Sequence, residues 1–232
     1  MVTLLYYVFI LLAIVSVIAS SNVNSTFNKY AKVLNSMNYT GAQVARMILD
    51  RNGLQNVAIE RVSGNLTDHY DPTKKVLRLS SSVYDNRSVA ALGVAAHECG
   101  HAVQDATGYV PLKTRSAIFP VVQLGSKLAM PVFIIGLILS YFSTQFLTVA
   151  MAGAILFAFV VAFQLVTLPV EFNASARAID MLKGYGILSQ QEIQPVKKVL
   201  SAAAMTYVAA AAMAIVQLLR LLIIINGNSR RR

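Results

Sequence analysis

The sequence predicts a mainly α membrane protein, with about four transmembrane helices and a small α+β domain at the membrane surface. Of its 232 residues, 56% are hydrophobic and only 13% are charged, whereas a soluble domain carries about a quarter of its residues as charges. With a mean hydropathy of +0.59, a soluble monomer of this size has no means of hiding its apolar surface, and disorder is excluded by the same abundance. The apolar residues also gather into runs long enough to cross about 30 Å of hydrocarbon as helices.

The first run comes at the start. No charged side chain precedes Lys29, and Val2 to Ser20 is almost continuously apolar. Val17-Ile18-Ala19 resembles a signal cleavage site, but no Lys or Arg precedes the run, and the run exceeds a usual signal core. Residues 1–20 therefore read as a retained anchor. Residues 21–127 form the polar domain. Thr40 and Gln43 make a capping box for a helix through Ile48 and Leu49 that stops at Gly53. Val57, Ile59 and Val76–Leu79 read as short strands, with Asp71-Pro72 as a turn between them. Ser88 then caps a helix over 88–106, ended by Gly108.

Leu128 to Val170 carries no charge and is too long for one span. Its polar interruption, Ser140 to Gln145, predicts a helical hairpin over 128–170 whose ends return to one side of the membrane. Pro131 and Pro169 fall near those ends, where a lost backbone bond is tolerated. Residues 171–202 connect onward, with Ser189 and Glu192 as a second capping box. A fourth span covers 203–225, with Arg220 near enough to its end to snorkel, and 226–232 is a basic tail.

The net charge of +10 is spread along the chain rather than concentrated on one helix or face. It reads as the positive flanks of membrane spans, and nucleic acid is excluded as a partner. The lipid bilayer is the partner this pattern implies. The single cysteine, Cys99, rules out a disulfide framework and a four-cysteine zinc ribbon.

Chemistry is concentrated in His97-Glu98-Cys99-Gly100-His101, an HExxH motif expected by chance in fewer than about one such chain in a thousand. Residues four apart stack on one helix face, so both imidazoles can bind one ion. Zinc takes such nitrogens at about 2.0–2.1 Å and, in catalytic sites, keeps a position open for water. Glu98 lies beside the first ligand as the candidate general base. Cys99 points off that face and reads as helix packing.

A third ligand has to come from elsewhere. After the motif the acids are Asp105, Glu171, Asp180 and Glu192. Asp105 lies one turn on, as a solvated or supporting acid, and Glu192 already has a capping part. Glu171 stands where the uncharged hairpin ends, and an ionised acid there is costly unless paired, with Arg177 for example, or metal-bound. His69 competes as the remaining histidine, in a loop position that also suits a substrate-side or simple hydrogen-bonding part. Tyr70, Tyr84, Tyr109 and Tyr207 are unranked candidates for stabilising an oxyanion.

Over nearly its whole length the chain resembles the YugP-type membrane zinc metallopeptidases, also described as neutral zinc metallopeptidases. The resemblance is carried by NSTFNKYAKV, TGAQVARMILDRNGL, LTDHYDP, AAHECGHAVQDA, LVTLPVEFNASARA and KKVLSAAAMTYVAAA. That family is similar to the gluzincins, whose third ligand is a glutamate on a later helix. The resemblance thus implies a zincin-like domain holding one zinc ion through His97, His101 and Glu171, with Glu98 as base. Where gluzincins often place an aspartate to orient an imidazole, four residues past the glutamate, this chain has Ser175. Asn173, Ser175 and Arg177 are the candidates for that supporting task, with His69 and Tyr70 as candidates on the substrate side.

The expected function is zinc-dependent hydrolysis of peptide bonds in a peptide or protein substrate by a multi-pass protein of the cell membrane. Lysines and arginines flanking the motif's side argue for a cytoplasmic active site, against the terminal Arg230–Arg232, which would then lie outside. Two other classes compete: a non-catalytic scaffold or assembly factor with structural zinc, and an ion or solute pathway, for which Glu171 and Arg220 supply few ionisable groups.

Overall fold

The computed structural model describes residues 2–229 and the side chains of residues 5–228. In chain order the elements are α1 (Val2–Tyr30), α2 (Gly41–Arg51), β1 (Ala58–Val62), β2 (His69–Asp71), β3 (Val76–Ser80), α3 (Ser81–Tyr84), α4 (Val89–Ala106), α5 (Val110–Leu139), a short 3-10 turn (Thr144–Phe146), α6 (Leu147–Gly184) and α7 (Gln190–Ser229). Among the described residues, four helices are long and apolar enough to cross a membrane: α1, α5, α6 and α7. The protein is mainly helical, with one small three-stranded sheet.

The apolar runs underestimate these helices. α1 continues past Ser20 to Tyr30, and α5 starts at Val110 rather than Leu128, so Pro120 and Pro131 both lie inside it. Glu171 belongs to α6 itself, and the helix begun after Ser189 continues without a break through the fourth apolar run. Charge marks where hydrocarbon ends. A helix has no reason to end there, because each further residue adds a backbone hydrogen bond. The tail residues Arg230–Arg232 lie outside the described residues.

The chain divides into two compact units. One contains α1 up to Ile18, Thr114–Leu168, and the chain from Thr206 onward. Within it, α5 and α6 approach closely through small residues, as helices in lipid commonly do. A side chain at Gly153 would meet the backbone nitrogen of Phe133 at 2.5 Å, and one at Gly136 would overlap the backbone of Ala150. Phe133, Ala150, Ala154, Leu221 and Ile225 form the packed centre. Arg220 lies over the ring of Phe9 at 4.3 Å and that of Tyr6 at 5.4 Å, and donates to Gln217 Oε1 at 2.9 Å. Its charge is thus met by aromatic faces and an amide.

The other unit comprises Ala19–Lys113 and Pro169–Met205. Its core gathers Phe27, Ile48, Leu49, Leu77, Leu79 and Leu92 around α4. α4 starts as its sequence indicates, with Ser88 Oγ accepting from Ala91 N, and the chain leaves it at Gly108 with φ +66. The capping box of Thr40 and Gln43 opens α2. In the sheet, ordered β1-β3-β2, β1 runs parallel to β3 (Ala58↔Val76 to Val62↔Ser80) and β2 antiparallel to it (His69↔Arg78 to Asp71↔Val76). Asp71 closes the β2–β3 turn by accepting from the backbone of Thr73 and Lys74, each at 3.0 Å.

Candidate metal centre

α4 is buried along most of its length because its residues are small, and two of its glycines admit neighbouring helices. A Cβ on Gly93 would meet Val196 of α7 at 2.9 Å, and one on Gly100 would meet the carbonyl oxygen of Ala174 at 2.7 Å. The second contact places α6 against the motif. Glu171, three residues before Ala174, lies one turn away on the same face.

The result is a cluster in which His97, His101 and Glu171 each offer a ligand atom, all within 4.8 Å of one another. Glu171 Oε2 lies 3.3 Å from His97 Nε2 and 3.7 Å from His101 Nε2. Two atoms bound at about 2.05 Å to one tetrahedral ion are roughly 3.3 Å apart, so the spacing suits zinc. The imidazoles stand edge to face, with an interplanar angle of 86°. Burial opposes the charged form of His101, but its bond to Glu171 and the charges of Glu98 and Glu171 outweigh this, raising its pKa above the usual imidazole value. The place favours positive charge. Glu98 is 8% exposed beside it.

Both imidazoles are held by their other nitrogens. Ser175 Oγ lies 3.1 Å from His97 Nδ1, and Gln104 Oε1 lies 3.0 Å from His101 Nδ1. The direction of the second bond follows from its neighbours. Arg177 Nε donates to Asn173 Oδ1 at 2.8 Å, and Gln104 Nε2 donates to that oxygen at 3.0 Å and to the carbonyl of Val170 at 2.8 Å. The Gln104 amide is therefore oriented with its oxygen towards His101 and can only accept there. His101 Nδ1 is therefore protonated, which makes Nε2 the ligand atom whenever the ring is neutral. Asn173 and Arg177 thus reach the histidine through Gln104, a residue the sequence reading did not single out. Its position three residues after His101, on the same helix face, was the available signal.

The remaining candidates lie outside the cluster. His69, exposed on β2, has Nδ1 3.0 Å from the carbonyl of Thr67 and Nε2 3.4 Å from Arg78. Tyr70 donates to Asp105 Oδ2 at 2.8 Å, and Lys75 pairs with the same oxygen. Burial, and then Asp105, push the Tyr70 hydroxyl pKa up. Tyr109 donates to the carbonyl of Pro169 at 3.4 Å. Cys99 is buried against α2, its thiol directed at the carbonyl of Ala45 and its pKa raised by burial. Asp68 accepts from Ser80 N at 2.7 Å and Ser80 Oγ at 2.9 Å. Burial still holds its carboxyl above the usual range, with the charge of Glu98 adding to the effect.

Four candidate spans and a two-histidine, one-carboxylate cluster define a membrane protein with a candidate zinc centre. A family described as "Putative neutral zinc metallopeptidase" matches residues 5–226, and the chain belongs to it. It is also similar to the "Putative membrane protease YugP" of Bacillus subtilis (strain 168), at 49% identity over 211 residues, covering 90% of this chain and 92% of the relative. No solved structure matches the chain.

Proposed function

We propose that this protein is a membrane-embedded, zinc-dependent endopeptidase. The observation that carries the reading is the convergence of His97, His101 and Glu171 beside Glu98. These three residues would hold one zinc ion, with Ser175 and Gln104 keeping the imidazoles aimed. Bound zinc would supply Lewis acidity, polarising a peptide carbonyl and acidifying water. Glu98 takes the proton of the attacking water and returns it to the departing amine. The polar domain lies at the membrane surface, on the cytoplasmic side where most short-range lysines and arginines fall, and its substrate is a peptide or protein.

Glu98→Gln separates binding from chemistry, since an amide cannot accept the proton. The variant should bind zinc to the parent's stoichiometry while losing hydrolysis of a peptide library by at least about a hundredfold. Equal turnover by variant and parent would remove Glu98 from this part. Zinc bound without turnover by the parent itself would favour the scaffold.

A further inference from the structure

The face of α1 carrying Asn22, Thr26 and Lys29 follows a helical spacing of four and three residues, as does the face of α7 carrying Gln194, Lys198 and Ser201, with Lys197 beside it. The two faces line one open concavity of about 550 Å³. Its lining mixes three lysines and other polar side chains with the apolar Ala202 and Met205. Lys29, Lys197 and Lys198 are all exposed, and among the described residues none of them stands in an ion pair. The nearby acid on α7, Glu192, is engaged by Ser36 and Ser189.

From this groove we infer a binding site for the phosphate-bearing headgroup of an anionic membrane lipid. Three ammoniums without acidic partners repel one another, and a phosphate between them relieves that repulsion while taking hydrogen bonds from the Asn22 amide and the Ser201 hydroxyl, Thr26 Oγ1 already donating to Asn22 Oδ1. The position selects a lipid as the source. Asn22 follows directly on the apolar run of α1, and Ala202 and half-exposed Met205 line the groove where α7 turns apolar. Polarity therefore falls along the groove towards the spans, as it does along a phospholipid from headgroup to acyl chain. Ordinary positive flanks attract an anionic surface without gathering around a cavity.

The test uses the full chain in nanodiscs of phosphatidylcholine and phosphatidylglycerol, with retained lipid counted by native mass spectrometry. The parent should retain phosphatidylglycerol over phosphatidylcholine. A lysine near an anionic surface contributes roughly a fivefold factor, so changing Lys29, Lys197 and Lys198 together to Gln should lower that preference by at least about tenfold. Changing the same three to Arg should preserve it. Removing equal charge elsewhere, by Lys32→Gln, Lys113→Gln and Lys183→Gln, should leave it near the parent's. The proposal fails if the parent shows no preference, if the Arg variant loses it, or if both Gln triples lose it equally, since that is diffuse attraction. It also fails if inorganic phosphate displaces the lipid, which would make the groove a site for free anions.

Discussion

At the scale of single residues, the candidate metal centre depends on the direction of a few hydrogen bonds. Gln104→Met keeps the volume of the side chain but removes the acceptor for His101 Nδ1. Loss of such a supporting partner lowers metal affinity by about 10–100-fold, and a competitive zinc titration should read that range. In the same titration Glu171→Gln should weaken zinc at least as much, whereas His69→Ala, outside the cluster, should leave affinity near the parent's. Zinc lost with His69 and kept without Glu171 would mean a three-histidine site. Asp68 gives a prediction in pH. Its folded pKa is raised above the unfolded value by burial, despite the Ser80 bonds and with Glu98 adding to the rise. The folded state therefore holds this proton more firmly, and stability is lost as pH rises from about 3.9, the unfolded value, through the folded pKa. Asp68→Asn should be more stable than the parent at neutral pH, and melting curves should show the difference shrinking on acidification.

At the scale of elements, two glycines of α4 admit two different helices, with unequal tolerance. At Gly100 the obstacle to a Cβ is backbone, the carbonyl oxygen of Ala174 at 2.7 Å, whereas at Gly93 it is a methyl of Val196 at 2.9 Å. A valine can turn about χ1, but a helix backbone has to be displaced. Gly100→Ala should therefore cost about 1–3 kcal/mol of stability, the usual range for overpacking. It should also weaken zinc, because the displaced helix carries Glu171. Gly93→Ala should lower the melting temperature less and leave zinc affinity unchanged. Equal effects on zinc would show that α6 is not positioned through Gly100. These helices were only partly legible beforehand. Capping boxes are local chemistry, so the starts of α2 and α7 could be read directly from Thr40/Gln43 and Ser189/Glu192. The start of α5 could not, since the residue before Val110 is Tyr109 rather than a Ser, Thr, Asp or Asn, and the charges of Lys113, Arg115 and Lys127 fall inside the helix.

For the whole molecule, the proposed orientation can be tested by labelling. Single cysteines at Lys74 and Lys183, in a Cys99→Ser background, should resist an impermeant thiol reagent in intact cells, and one at Thr144 should react. The opposite pattern would place the candidate metal centre outside and the terminal arginines within. Zinc would also couple α4 to α6, so binding free energy would appear as folding stability.

The amino-acid sequence alone determined the apolar runs behind the four candidate spans, and the stacking of His97 and His101 on one face, because both follow from composition and the 3.6-residue period. β2 could not be read from it, since three residues carry no periodicity and only β3 makes them a strand. Nor could the company of the two histidines, which include the sole acid brought within ligand distance among the described residues. Its place at the hairpin's end and the family resemblance favoured Glu171 over Asp105, Asp180 and Glu192, but neither fixed its distance from the imidazoles. Glu171 stands at the imidazoles because α6 reaches α4 where Gly100 has no side chain to hold it off, and Gln104 is oriented because Val170, Asn173 and Arg177 arrive with that helix. Such contacts join residues far apart in the chain. Only the folded packing of one helix against another decides them.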